Sequence, residues 1–303
     1  MASFDPVIKW SGSKRSQAKE ILKYFPKAIK TYYEPFVGGA SILYALLQSD
    51  IPVEHYICSD VNSDLISLYD VIKCNPDAVV AHYTKLWGEL NANTDISYKK
   101  AYFETIRTRL NSEHNPLDFM FIMRTTTNGM PRYNSSGEFN NSFHVTRTGI
   151  YPQTLAEVVY DWSKLLNRYN VEFRCCSYED IQPIDIADFM YLDPPYANTK
   201  GMYYGTIDYI ALYSYIRNLP CGYAMSFDGK VSVADTNEVI DRTEFIPSDI
   251  YTDCKYIYSG NSSFRRVIGK SNHADVYESL YLKIVDAGYT PMIRKSNGNK
   301  KLF

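Results

Sequence analysis

An α/β fold built on a parallel sheet is the class this sequence predicts, and three observations carry it. Strand-like and helix-like stretches alternate over much of the chain. The stretch "YYEPFVGGASILYALLQ" reads as a short strand, a glycine turn and a helix, and "DFMYLDPPY" runs an apolar strand straight into an acidic corner. At 303 residues, 45% of them hydrophobic, the chain can bury a sizeable core and has room for one large domain or two smaller ones.

Taken in order, "SQAKEILKYFP" has helical spacing and stops at Pro26. The strand, glycine turn and helix follow, and "HYICSDVN" reads as another buried strand. From about residue 63 to 120 the rhythm changes. "SDLISLYDVIKCNPDAVVAHYTKLWGEL" and "ISYKKAYFETIRTRLNS" are amphipathic with no strand between them, which predicts a helical insertion. "NGMPRYNSSGEFNNSFHVTRTG" sets Asn, Gly and Ser at turn positions between short β-prone runs and predicts a hairpin with a polar tip. Alternation resumes with "VEFRCCSYEDI", "DFMYLDPPY", a helix around "YIALYSYIRNLP", "GYAMSFDG" and "VYESLYLKIV", and the tail "RKSNGNKKLF" reads as frayed.

A formal net charge of −2 argues against an indiscriminate nucleic-acid coat, so a polyanion would have to be met by local patches. Candidates are Lys9, Lys14 and Arg15, then Arg265 and Arg266 with Lys270, then the basic tail; each alone reads more often as a solvated face. Six cysteines at irregular spacing, with no C-x-x-C and no nearby histidine pair, read as free thiols, mostly in the core, and not as a metal site. No run of about 18 apolar residues occurs and the start lacks the order of a signal peptide, so no membrane association and a cytoplasmic location are expected.

The chemistry concentrates at "DPPY". Ligands of open parallel sheets collect beyond the carboxyl ends of the strands, where Asp193 would sit. Pro194 and Pro195 fix φ and carry no N–H, which makes a stiff cup of carbonyl acceptors. A carboxylate and a proline carbonyl can accept both hydrogens of a planar exocyclic amine, while Tyr196 offers a flat face to the ring that bears it. Adenine fits, and holding both hydrogens favours a more pyramidal, more reactive nitrogen. The plainer alternative is a strand end capped by a proline turn with a core tyrosine.

In "EPFVGGASIL", an acidic strand end at Glu34, then Pro35, Phe36, Gly38 and Gly39 before a helix, suits close approach of a small ligand to backbone amides. It matches neither G-x-G-x-x-G nor the P-loop, so neither a dinucleotide nor a triphosphate is favoured. Asp60, at the next strand end, suits a ribose diol or the N-cap of the following helix, and both readings stay open.

Together and in this order, "VIKWSGSKR", "YYEPFVGGASIL", "SDVNSDLISLYDVIK", "NGMPRYNSSGEFNNSF" and "DPPY" resemble the motifs of the Dam-type, α-group (D12 class) DNA adenine-N6 methyltransferases, over most of the chain. The resemblance implies a Rossmann-like methyltransferase sheet with a mainly helical target-recognition insertion carrying a β-hairpin. It divides the chain into 1–62 and 159–303, the catalytic domain, and 63–158, the insertion. It also implies S-adenosyl-L-methionine as cofactor, double-stranded DNA as partner, with a cognate restriction endonuclease as a further candidate, and no metal.

Carried over position by position, it implies that Lys14 meets the methionine carboxylate with Trp10 beside it and that Glu34, Pro35, Phe36, Gly38 and Gly39 form the cofactor loop. Asp60 would take the ribose hydroxyls, and Asp180 would lie near the cofactor adenine. Asp193 and the Pro194 carbonyl would grip the target amine beside Pro195, with Tyr196 stacked on a flipped base. Lys9, Met130 and Arg132 would reach base edges, and Asn128 and Asn134 would belong to the same DNA-facing hairpin. Arg124 matches a position that clamps phosphate, and apart from the resemblance the serines, asparagine and arginines of "SGNSSFRRV" suit phosphate contacts through Arg265 and Arg266.

Three features depart from the family pattern: Thr127 stands where relatives carry an intercalating aromatic, Ser142 replaces a proline that helps read thymine, and "FHVTRTG" replaces a more basic stretch. GATC is therefore one candidate target among adenine-containing sites. The competing classes are a methyltransferase acting on RNA adenine or a protein amide, and a non-catalytic DNA-binding relative.

Overall fold

The computed structural model describes residues 6–196, 207–233, 238–241, 246–261 and 274–291. Five parallel strands make the half of the sheet that matters most: β1 (Ile29–Glu34), β2 (Val53–Asp60), β3 (Glu172–Cys175), β4 (Phe189–Leu192) and β5 (Gly222–Phe227), ordered β3-β2-β1-β4-β5. Strand composition follows position. The central strands β4 and β5, "FMYL" and "GYAMSF", are buried at every residue, as expected where both faces are covered, whereas edge strand β3 buries only Phe173.

Four further strands complete the sheet among the described residues: β6 (Lys230–Val233), β7 (Glu238–Asp241), β8 (Asp253–Asn261) and β9 (Ala274–Lys283). Antiparallel β9 runs first along β6 and then along β5, with β8 paired to it as well. Gly229 lets the chain pass from β5 to β6, since a Cβ there would stand 2.0 Å from the Tyr277 carbonyl oxygen. This fold is the Rossmann-like α/β class that the sequence predicts.

The expected insertion is helical: α3 (Ser63–Cys74), α4 (Pro76–Asn91), α5 (Ile96–Glu113) and α6 (Pro116–Thr125) follow without a strand between them, after the short α1 (Ala18–Leu22) and α2 (Ser41–Leu47). Asparagine or aspartate caps start each of the four. Asn62, Asn75, Asp95 and Asn115 accept from Leu65, Ala78, Ser97 and Leu117 N–H, and Pro76 and Pro116 occupy first-turn positions where no N–H is needed. Helix α6 is buried from Asp118 to Thr125 and packs against α3, α4 and α5.

Three expectations need correction. The sequence boundary at residue 158 cuts through α7 (Pro152–Arg168), a single amphipathic helix. Leu155, Val158, Val159, Trp162 and Leu166 form its buried stripe, and Trp162 packs at a tilt against Tyr44 of α2, ring centroids 4.9 Å apart. Insertion and sheet thus share one core. The predicted hairpin closes through only two isolated antiparallel bridges, Thr126 with Phe143 and Tyr133 with Phe139. Asn128 and Gly129 have φ of 58° and 62° and Pro131 has no N–H, so side chains replace the ladder: Asn141 donates to the Thr127 and Met130 carbonyls at 3.0 Å. Finally, of the six cysteines only Cys58 and Cys221 are buried, because Cys74 and Cys175 lie at the exposed ends of α3 and edge strand β3. Helix α8 (Tyr209–Arg217), capped by Asp208, falls where "YIALYSYIRNLP" placed it. Among the described residues no helix is long and apolar enough to cross a membrane.

Candidate active site

The sheet order makes β1 and β4 a topological switch point: from β1 the chain builds β2 and β3 to one side, and from β4 it builds β5 to the other. Three carboxylates mark the carboxyl ends here: Glu34 ends β1, Asp60 ends β2 and Asp193 follows β4.

Glu34 is 3% exposed and accepts the Tyr32 hydroxyl at 2.8 Å. Burial pushes its pKa up to about 8, against the lowering effect of that bond. Between its ordinary 4.5 and about 8 the folded chain holds a proton that the unfolded chain has lost, so this group reduces stability as pH rises, by up to about 1.4 kcal/mol per pH unit. Glu34→Gln should therefore gain on the wild type progressively across that window. Urea unfolding near pH 5 and near pH 8 checks this, and an equal difference at both would contradict it.

Trp10 fills the glycine turn. A Cβ on Gly38 would lie 2.6 Å from Trp10 Nε1, and one on Gly39 2.8 Å from Trp10 Cβ. Gly38 also needs its φ of 43°. Its N–H goes to Asp60 Oδ2 at 3.1 Å and its carbonyl takes the Tyr69 hydroxyl at 2.8 Å. The close neighbour of both glycines is the indole, and the Gly38 amide orients Asp60. Asp60 Oδ1 accepts Asn62 N–H at 3.0 Å, and burial raises its pKa to about 6 against these backbone bonds. The helix cap that Asp60 could have supplied comes from Asn62. Pro35 is buried and Phe36 lies 5.5 Å from Tyr178. Asp180 turns back to accept Ser177 N–H at 3.1 Å and caps its own short turn.

At the proline corner, Lys14 Nζ lies 2.8 Å from Asp193 Oδ2, and the Tyr196 hydroxyl stands 3.1 Å from Asp193 Oδ1. Burial raises the Asp193 pKa, the Lys14 charge opposes that rise, and the Glu278 carboxylate adds to it. The Tyr196 ring stacks on Phe227 at 5.7 Å and 20°. Tyr209 donates its hydroxyl to the Pro195 carbonyl at 2.6 Å, so the two-acceptor reading rests on Pro194 and Asp193. Sequence reasoning missed Glu278, which receives Lys14 at 3.3 Å. Its only signal was an acidic residue inside "VYESLYL" of β9, which reads equally well as a solvent-facing strand position.

The sequence-predicted DNA-facing residues divide. Arg132 and Asn128 are exposed and Met130 is half-buried. Lys9 packs on the loop, where a Cβ at Gly129 would meet its Cβ at 2.5 Å; burial and then the charges of Arg147 and Arg124 lower its pKa. Asn134 folds back to accept the Ser136 and Glu138 N–H groups at 2.9 Å and holds the tip. Arg124 is 7% exposed and turns inward, with Nε on the Val7 carbonyl at 2.9 Å and Nη2 on that of Pro6. Its phosphate-clamp role is corrected accordingly, because the guanidinium tethers the N-terminal segment instead. Thr127 and Ser142, two of the departures, touch: Thr127 N–H donates to the Ser142 carbonyl at 2.9 Å, and their hydroxyls stand 3.3 Å apart. Arg265, Arg266, Lys270 and the basic tail lie outside the described residues.

Residues 6–17 thus connect three places: Arg124 and Gly129 of the insertion, the glycine turn under Trp10, and Asp193 through Lys14. A switch-point sheet with acids at the ends of β1 and β2 and a rigid D-P-P-Y corner after β4 is the Rossmann-like architecture, with its ligand-binding crevice at that corner. The family model of the D12 class N6 adenine-specific DNA methyltransferases matches residues 10–263, and the chain belongs to that family. It is 33% identical over 205 residues to the type II methyltransferase M.MjaIII of Methanocaldococcus jannaschii, covering 63% of this chain and 68% of that one. It is 32% identical over 199 residues to the DNA adenine methylase of Haemophilus influenzae and 33% over 195 residues to that of Escherichia coli K12. Those two alignments span 64% of each relative, just under two thirds of its length.

Proposed function

We infer that this protein methylates the N6 amine of adenine in a short duplex DNA site, with GATC a candidate, after flipping the base from the helix. The observation that carries this is Asp193 beside Pro194 at the switch point, next to a stacked Tyr196 and reached by a buried lysine.

The residues present suit S-adenosyl-L-methionine. The acids Glu34 and Asp60 stand at neighbouring strand ends, and Phe36 offers an aromatic face between them. Bound there, the cofactor would supply an electrophilic methyl group carried on a sulfonium. Asp60 would hold the ribose diol, and Lys14 the methionine carboxylate. Asp193 and the Pro194 carbonyl accept the two amine hydrogens, aim the nitrogen lone pair and exclude a competing water. Asp193 also stands ready to take the proton that the nitrogen sheds, its basicity raised by burial. Tyr196, its ring held flat against Phe227, supplies the stacking surface for the everted purine.

Asp60→Ala should raise the cofactor dissociation constant about tenfold, some 1.4 kcal/mol, with little change in DNA affinity, as equilibrium titration of each ligand can check. Mapping modified adenines in DNA from a methylation-free host that expresses the protein tests the function and names the site. Adenines left unmodified throughout would refute it.

A further inference from the structure

Lys14 and Tyr196 each have a second partner, and it is the same atom. Glu278 Oε2 lies 3.3 Å from Lys14 Nζ and 3.3 Å from the Tyr196 hydroxyl, farther than either donor's contact with Asp193. The other oxygen of Glu278 is anchored: Oε1 accepts Gln17 Nε2 at 3.0 Å and the Ser259 hydroxyl at 3.2 Å. Gln17 Nε2 also reaches Ser259 Oγ at 2.9 Å, closing a polar triangle behind the carboxylate. Glu278 comes from antiparallel β9, so the corner after β4 is completed by a strand outside the parallel half of the sheet.

A phenol has one hydrogen, so the two contacts of Tyr196 are alternatives. Lys14 has three hydrogens and already directs one to the Gly12 carbonyl at 3.1 Å. In the geometry described, Asp193 accepts from Lys14 at one oxygen and from Tyr196 at the other. An amine hydrogen that is to be gripped by Asp193 competes with both. Releasing Asp193 costs less where its donors have a second acceptor within reach, because a half-buried phenol that lost its acceptor would carry part of its desolvation cost.

We propose that Glu278 is a positioning residue that takes the Tyr196 hydroxyl from Asp193 when Asp193 turns to the substrate amine, and that keeps its own contact with Lys14 while the lysine hydrogen released by Asp193 passes to the methyl donor's carboxylate. This rests on the reading of Asp193 given above. Glu278 touches neither base nor methyl donor in this role; it keeps two donors paired while the catalytic carboxylate changes partner.

The test is single-turnover methyl transfer at saturating donor and duplex, with both dissociation constants measured in parallel. Glu278→Gln keeps the shape and removes the charge. It should lower the transfer rate about tenfold while both dissociation constants stay within about twofold, and Glu278→Asp should recover much of the lost rate. Gln17→Met loosens the anchor without removing the charge and should cost about threefold in the same rate, which keeps the proposal testable if Glu278→Gln does not fold. An unchanged rate in Glu278→Gln, or weakened binding at an unchanged saturated rate, would overturn the proposal and leave the methyltransferase reading intact. A wild type that transfers no methyl group would remove both.

Discussion

Asp193→Ala should lose methyl transfer by about a thousandfold while folding normally and binding the cofactor within a few-fold of the wild type, the scale of removing one preorganised polar group from a reacting centre. The carboxylate would act on the amine hydrogens, so its absence is felt in the rate. The fold survives because Lys14 retains a counterion in Glu278, 3.3 Å away, and a hydrogen-bond acceptor in the Gly12 carbonyl, 3.1 Å away. Removing one carboxylate therefore leaves a neutral pair. Single-turnover assays beside cofactor titration measure both halves, and near-normal turnover would be fatal to the role assigned to this residue.

Lys14→Met reverses the charge argument and should be the more damaging to stability. The lysine side chain is 4% exposed, and removing it leaves Asp193 and Glu278, 19% and 18% exposed, facing each other without a cation. Breaking a buried pair from one side costs about 3 kcal/mol, because the remaining charge keeps its desolvation penalty. The sign with pH follows from Asp193, whose pKa is raised by burial and held back by Lys14; without Lys14 it rises further. An acid with a raised folded-state pKa loses stability as pH rises from its unfolded to its folded value. The deficit of Lys14→Met should thus be larger near pH 8 than near pH 5 in urea unfolding. A constant deficit would mean that lost packing, not charge, dominates.

The parts of the molecule that read correctly from sequence are those whose cause is local. Strands β1, β2, β4 and β5 carry apolar or β-branched runs because they lie inside the sheet, and Asp193 announces itself by following "FMYL" directly. Helices α3 to α6 are marked by their Asn, Asp and Pro starts. What escaped has causes far apart in the chain. Glu278 meets residues 264 and 82 positions away, so nothing beside it marks it as part of the site. Arg124 carries a charge that local pattern assigns to solvent, yet it is satisfied by carbonyls of Pro6 and Val7. Trp10 and the glycines explain each other only once β1 and the N-terminal segment are brought together. Strands β6 and β7 have four residues each, too short for the alternation in "KVSV" to stand out from its surroundings.

The most direct measurement is to incubate the purified protein with methyl-labelled S-adenosyl-L-methionine and adenine-containing duplexes, digest the DNA, and identify the labelled nucleoside by mass spectrometry. Label in N6-methyl-2′-deoxyadenosine, absent with Asp193→Ala, is the expected result. Label on another base, label only in RNA or protein offered in competition, or equal labelling by the variant would contradict an amine-gripping corner at the end of β4.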